Sequence, residues 1–205
     1  QGFFQRVRMF TGWPLLAAYF LIPWFNWGDR QSILFDLPAR QFHILGLTFW
    51  PQDLVMLAWI LVIAAFCLFF FTTLLGRVWC GYSCPQTVWT SIFMWIEQKT
   101  EGSRNQRIKL DASPWTLNKF TRKSLKHLAW LLVGFYTGFT FVGFFTPIKD
   151  LGFQIHLLDL HPWASFWIAF FTIATYINAG WLREQVCMYM CPYARFQAAM
   201  FDRNT

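Results

Sequence analysis

The sequence predicts an all-α, polytopic membrane protein with four transmembrane helices. These form two parallel repeats, each followed by a Cys-x-x-x-Cys-Pro motif and an interfacial helix. Three observations carry the prediction. Of the 205 residues, 56% are hydrophobic and only 13% charged, with 25 Phe and 13 Trp, about half the charge fraction of a soluble domain. The apolar residues gather into four long runs separated by polar stretches. The pattern Cys-x-Tyr-x-Cys-Pro occurs twice, at Cys80 to Pro85 and at Cys187 to Pro192, and both cysteines of the first copy lie 107 positions ahead of their counterparts.

Taken in order, Gln5-Arg6-Val7-Arg8 is a basic lead-in to an apolar run from Met9 to about Trp27, interrupted by Pro14 and Pro23. Trp24 and Trp27 suit interfacial anchors, and no small-x-small cleavage site follows, so a span fits better than a signal peptide. Gln1 in place of Met, and the unpunctuated end F-D-R-N-T, point to a piece of a longer chain. Gly28 to Gln52 reads as a mixed loop at headgroup depth. Asp53 to Gly76 is the clearest span. It carries no charge between Leu54 and Leu75, about 33 Å of helix at roughly 1.5 Å per residue, which matches the hydrocarbon thickness. Cys67 within it reads as small apolar filler.

Pro85 to Glu101 places Val88, Trp89, Ile92, Phe93, Trp95 and Ile96 at helical spacing, with Glu97, Lys99 and Glu101 at the far end, and predicts an interfacial amphipathic helix. Gly102 to Lys126 is a basic loop. Beside a membrane span such a charge run is a topological signal rather than a nucleic-acid surface. His127 to about Thr146 is the third span, in which Gly134, Gly138 and Gly143 permit close helix packing. A loop with Lys149, Asp150, His156, Asp159 and His161 leads to the fourth span, Pro162 to about Leu182. Pro192 to Asp202 echoes the amphipathic helix. Residues 1–101 are thus the first repeat, 102–126 a basic cytoplasmic loop, and 127–205 the second repeat. Two spans per unit keep both units in one orientation, related by an axis along the membrane normal.

Of 17 Lys and Arg, 14 fall on one side of this topology and 3 on the other, so the positive-inside rule puts both ends and both cysteine motifs in the cytoplasm. That compartment is reducing, which favours a metal or redox thiol site over a disulfide. Proline at the first helical position places Cys84 and Cys191 at helix N-termini, where the macrodipole favours a thiolate. Cys80, Cys84, Cys187 and Cys191 are the candidate catalytic and metal-binding residues, and they are expected to converge in space. Four thiolates accept a [4Fe–4S] cluster, Zn(II) or Cu(I), and spacing alone does not choose. Met188 and Met190 add soft thioether donors that lean toward Cu(I), although such methionines are more often apolar filler. His43, His156 and His161 are weaker candidates for a second copper site or a haem contact, against the commoner role of hydrogen bonding to loop and lipid.

The blocks R-V-W-C-G-Y-S-C-P-Q-T-V-W, F-M-W-I-E-Q-K-T-E-G-S-R-N-Q-R-I-K-L-D, T-G-F-T-F-V-G-F-F-T-P-I and C-P-Y-A-R-F-Q closely resemble the CcoG family, also called FixG or RdxA. Its members serve the maturation of cbb3-type cytochrome oxidase. The resemblance runs from about Val7 onward and covers the membrane-domain portion of the family. It implies a cupric reductase of the bacterial inner membrane that turns Cu(II) into Cu(I), with lipid, copper, and oxidase assembly proteins or a copper transporter as partners, and no nucleic acid. It also implies [4Fe–4S] clusters held by a segment beyond Thr205, a further span and a periplasmic domain. Two other functions compete: an electron relay of the NapH and NosR polyferredoxin type that never handles copper, and a non-enzymatic copper chaperone or scaffold.

Overall fold

Apolar runs become helices over most of the chain, which the computed structural model describes for residues 2–28, 30–44, 46–156 and 161–200. The order is α1 (Phe3–Leu21), five short strands β1 (Asn26–Trp27), β2 (Arg30–Gln31), β3 (Ile33–Asp36), β4 (Gln41–Ile44) and β5 (Leu47–Phe49), then α2 (Leu54–Leu75), α3 (Pro85–Thr100), α4 (Arg104–Ala112), α5 (Leu117–Val142), α6 (Ile148–His156), α7 (Pro162–Thr175) and α8 (Pro192–Met200). Among the described residues three stretches are long and apolar enough to cross a membrane: Pro51–Leu75, Leu117–Val142 and Pro162–Leu182. The chain is a membrane protein. The run expected to give a first span yields α1, which contains Arg6, Arg8 and Pro14 and stops at Leu21, six residues short of Trp27.

The prediction of a purely helical fold is corrected by the segment read as a mixed loop. Residues 26–49 form a two-stranded hairpin, β1-β2, and a three-stranded antiparallel meander, β3-β4-β5, with Ile33 opposite Ile44 and Asp36 opposite Gln41. Strands of two to four residues carry too short a period-two pattern to stand out from a loop. What fixes them is tertiary. Phe35 N–H donates to the Phe144 carbonyl at 2.8 Å. Buried Gln31 gives its amide hydrogens to the carbonyls of Ile33 (2.9 Å) and Gly143 (2.7 Å) and accepts from Ile148 N–H at 3.0 Å. The meander is thereby bolted to the corner between α5 and α6.

Two further boundaries move. Much of the expected basic loop is helical. Ser103 and Gln106 form a capping box that starts α4, and α5 begins at Leu117, taking Lys119, Arg122, Lys123 and Lys126 into its first three turns. Their charge hid the helix, because basic residues dilute the apolar signal at its end, although Lys119 and Lys126 are buried. The segment 148–156 is also helical rather than loop.

Antiparallel packing of α5 on α7 is set by small residues, as the glycines predict. A side-chain carbon on Gly138 would stand 2.8 Å from the Ile168 carbonyl oxygen, and one on Gly134 would stand 3.0 Å from that of Thr172. Backbone cannot step aside as a side chain can. Gly138→Leu should therefore force α5 and α7 apart and cost at least the roughly 1–3 kcal/mol of ordinary overpacking. Thermal unfolding in detergent checks this against Gly152→Ala, whose new carbon meets nothing closer than the Phe139 ring at 4.0 Å. Equal melting temperatures for the two variants would refute the close-packing reading.

Around this pair lie two buried clusters: Phe139, Val142, Ile148, Leu151 and Ile168 at one end, and Phe93, Ile96, Trp130 and Ala179 at the other. The second cluster revises the picture of α3 as an interfacial helix. Phe93 is fully buried and Trp130 donates its indole N–H to the Phe93 carbonyl at 3.2 Å. One face of α3, with Val88, Phe93 and Ile96, is covered by protein, while α2 is buried along none of its most apolar stretch.

Candidate metal centre

Both cysteine motifs fold alike, residue for residue. Gly76, which ends α2, and Arg183, at the matching place in the second half, both have positive φ, at 68° and 44°. Each is followed by a single π-helical turn, Trp79–Ser83 and Val186–Met190, closed by Cys84 N–H to the Trp79 carbonyl at 3.0 Å and by Cys191 N–H to the Val186 carbonyl at 2.9 Å. The second cysteine of each motif is extended, and Pro85 and Pro192 then open α3 and α8. Cys84 and Cys191 do stand at helix N-termini, as the prolines predict. A third π stretch, Tyr176–Leu182, ends the helix begun by α7. Such turns bulge a helix by one residue, re-aim its side chains, and concentrate at functional sites. Nothing in the sequence pattern announces them.

The halves are cross-braced at this end of the molecule. Gln86, two residues after Cys84, donates to the carbonyls of Asn178 (2.9 Å) and Arg183 (3.1 Å) in the second half. Tyr193, two residues after Cys191, returns the contact by hydrogen bonding Thr72 of α2. Buried Gln197 of α8 spans the seam, donating to the Gly76 carbonyl and accepting from the Cys80 thiol, each at 3.5 Å. Thr87 fixes the Cys80 backbone by donating to its carbonyl at 2.6 Å. Sequence reasoning did not single out Gln86, Tyr193 or Gln197. Their position just after the prolines was the available signal.

This bracing brings the four predicted cysteines, all half-buried and free of disulfides, within electrostatic reach of one another. Burial pushes the Cys80 thiol up from its ordinary pKa, and the charges of Cys84, Cys191 and Cys187 push it further, against a smaller opposing effect of Arg77. Burial likewise raises Cys187, followed by the charges of Cys84, Cys191 and Glu184. Cys84 is the leading cysteine influence on both, from within the same half for Cys80 and from across the halves for Cys187. Neither Cys80 nor Cys187 lies at a helix N-terminus, and desolvation first, then the neighbouring cysteine charges, raise both. Met188 and Met190 lie in the second π turn, 62% and 66% exposed.

Soft sulfur donors suit Cu(I), Zn(II) and iron–sulfur centres alike. Their spacing is more selective. Among the described residues no three His, Cys, Asp or Glu side chains are grouped closely enough to hold a metal ion, whereas a [4Fe–4S] cluster takes four thiolates. The donor type fits either centre, and the tight grouping that a single ion would need is not formed among the described residues. Two-thiol coordination, with Cys84 and one neighbour, asks less of the fold. Because the raised thiols must lose protons to bind, affinity for Cu(I) should climb between about pH 6 and 8 by roughly tenfold per unit for each proton displaced. The sign follows from pKa values raised above the ordinary thiol range, which leave both groups neutral throughout that window. Competition against a chelator of known affinity at each pH measures it, and a flat profile contradicts the assignment.

Among the described residues the histidines form no grouping that could hold a metal ion. His161 caps α7, accepting at Nδ1 from Trp163 N–H at 3.3 Å, His43 lies within the β meander, and Asp159 falls outside the described residues.

Comparison with known proteins bears on this end of the molecule. A family described as "4Fe-4S binding domain" matches residues 56–101, and one described as "4Fe-4S dicluster domain" matches residues 182–205. Each match contains one cysteine motif, for which the residues alone left a [4Fe–4S] cluster open beside Zn(II) and Cu(I), while the family resemblance placed clusters beyond Thr205. Over all of its length the chain is 41% identical to the nitrogen fixation protein FixG of Rhizobium meliloti, covering 40% of that protein. It is 40% identical to proteins RdxA and RdxB of Cereibacter sphaeroides, covering 45% and 44% of them. The chain thus spans less than half the length of these curated relatives. No solved structure matches it.

Proposed function

From its membership of the CcoG/FixG/RdxA family, we propose that this chain is the membrane-embedded, electron-transferring part of an oxidase-maturation protein, and that its cysteines receive copper as substrate. The observation that carries this reading is the pair of matched π turns, each ending in an extended cysteine at a helix start and braced to the other half by Gln86, Tyr193 and Gln197. Cu(II) enters a pocket of soft thiols, accepts one electron from an iron–sulfur donor, which is oxidised by one electron in turn, and leaves as Cu(I). Thiolates prefer Cu(I) to Cu(II), so the site raises the copper potential and favours the reduction. Cysteine protons lost on binding return when Cu(I) departs.

In the membrane, α1 serves as the fourth span, and both motifs face the cytoplasm together with the basic α4. This follows from the 14 to 3 distribution of Lys and Arg. A reporter fused near Arg104 should be active only as a cytoplasmic fusion.

The decisive test uses the full-length protein, purified without oxygen, with its clusters chemically reduced, and mixed with Cu(II). Loss of the Cu(II) EPR signal, with matching oxidation of the clusters, supports the proposal. A relay that does not handle copper leaves the EPR signal unchanged. A chaperone or scaffold binds copper without oxidising the clusters.

A further inference from the structure

A second site lies in the β meander, joined to the opposite end of α2 from the cysteine motifs. A cavity of about 350 Å³ is lined by Trp27, Arg30, Gln31, His43, Gly46 and Thr48, large enough for a small ligand. Strand register builds it. Trp27 and Arg30 are a cross-strand pair of the β1-β2 hairpin, and His43 and Thr48 are a cross-strand pair of β4 and β5. At its base, Gln31 spends its whole amide on the Ile33, Gly143 and Ile148 backbone and anchors the floor to the helical body. Gly46 keeps the wall open, since a side-chain carbon there would stand 3.2 Å from the Trp27 ring.

The hydrogen bonds fix what this cavity offers a ligand. Arg30 Nη1 lies 3.4 Å from His43 Nε2, and His43 Nδ1 lies 3.1 Å from Thr48 Oγ1. Guanidinium only donates, so in this contact Nε2 accepts and Nδ1 carries the hydrogen. Nδ1 in turn donates to Thr48, whose own hydroxyl hydrogen is left to give. The remaining guanidinium hydrogens, the Thr48 hydroxyl and the Trp27 indole N–H are therefore all donors. No carboxylate is among the described lining residues.

Among the described lining residues, side-chain donors and one fixed positive charge face the cavity, a combination that suits an oxyanion. The geometry points to a phosphate-binding site, which takes either free phosphate or the phosphate of an anionic lipid headgroup. Exposed Trp24, Trp27, Leu47, Phe49 and Trp50 lie in the strands and the turns that flank them, the composition of an interfacial belt, which suits the depth at which lipid phosphates lie.

The full-length protein in detergent provides the test, with inorganic phosphate and phosphatidylglycerol as separate probes, by calorimetry and by native mass spectrometry. Binding of phosphatidylglycerol, but not of phosphatidylcholine or free phosphate, identifies a headgroup site, and binding of free phosphate a solute site. In either case Arg30→Gln should weaken binding at least tenfold, and Thr48→Val by a smaller factor. Circular dichroism and an unchanged melting temperature guard against misfolding. Because Thr48→Val leaves the charge alone, it reports on the cradle even if Arg30→Gln perturbs the hairpin. The proposal fails if neither probe binds, or if both variants bind as the wild type does.

Discussion

The Cys80→Ser/Cys84→Ser variant should lose copper binding and reduction altogether while still inserting and folding. Neither residue lies in a membrane-crossing helix, and serine preserves the size and the half-buried place of each thiol. Cys84→Ser alone should be the most damaging single change, because Cys84 is the strongest cysteine neighbour of both Cys80 and Cys187. Loss of an outer-shell partner of a metal costs about 10–100-fold in affinity, so loss of a central ligand should exceed that. The control is Cys67→Ser, which alters an exposed cysteine inside α2 and should leave copper binding unchanged. Copper stoichiometry, Cu(I) competition titration and Cu(II) EPR decay give the readouts. Wild-type reduction by the double variant makes the motifs structural and removes copper from this end of the molecule.

The pairing of the cysteine motifs was legible because a repeated pattern at a fixed offset of 107 positions requires repeated local structure. The positive φ, π turn, extended cysteine and helix-opening proline do recur at that offset. The long apolar helices were legible for an equally direct reason, since lipid demands continuous apolar surface. What stayed hidden depends on partners distant in sequence. The β meander is held by Gln31 on residues 112 and 117 positions away. The burial of α3 depends on Trp130, which could not be told from a lipid anchor by its type. The basic start of α5 was masked by charges whose reason for being there is ionic, and those charges bear on the second motif.

Glu97 is the hub of that ionic cluster, and its removal should be the largest stability loss of any single substitution. Its carboxylate, about 10% exposed, faces Arg107 at 2.7 Å, Arg183 at 3.0 Å and Lys126 at 3.9 Å, and Lys126 also meets Glu101 at 2.8 Å. Three cations therefore share two carboxylates in a largely dry space, with Lys126 and Arg183 also over the Trp130 ring. Glu97→Ala leaves Arg183 and Arg107 without a counter-charge, and breaking a buried pair in this way costs about 3–5 kcal/mol. The effect should reach the second motif and spare the first. Arg183 holds a left-handed backbone, φ 44°, where the first half uses Gly76, and its bonds to Glu97 and to the Gly180 carbonyl offset that strain. With Glu97 gone, the turn leading to Cys187 should loosen. Thiol labelling of Glu97→Ala should accelerate at Cys187 and Cys191 far more than at Cys80 and Cys84, alongside a lowered melting temperature. Glu97→Gln, which keeps a hydrogen-bond acceptor, should fall between it and the wild type. Equal acceleration at all four cysteines would mean general unfolding rather than a clamp on the second motif, and an unchanged melting temperature would mean that the cluster contributes nothing to stability.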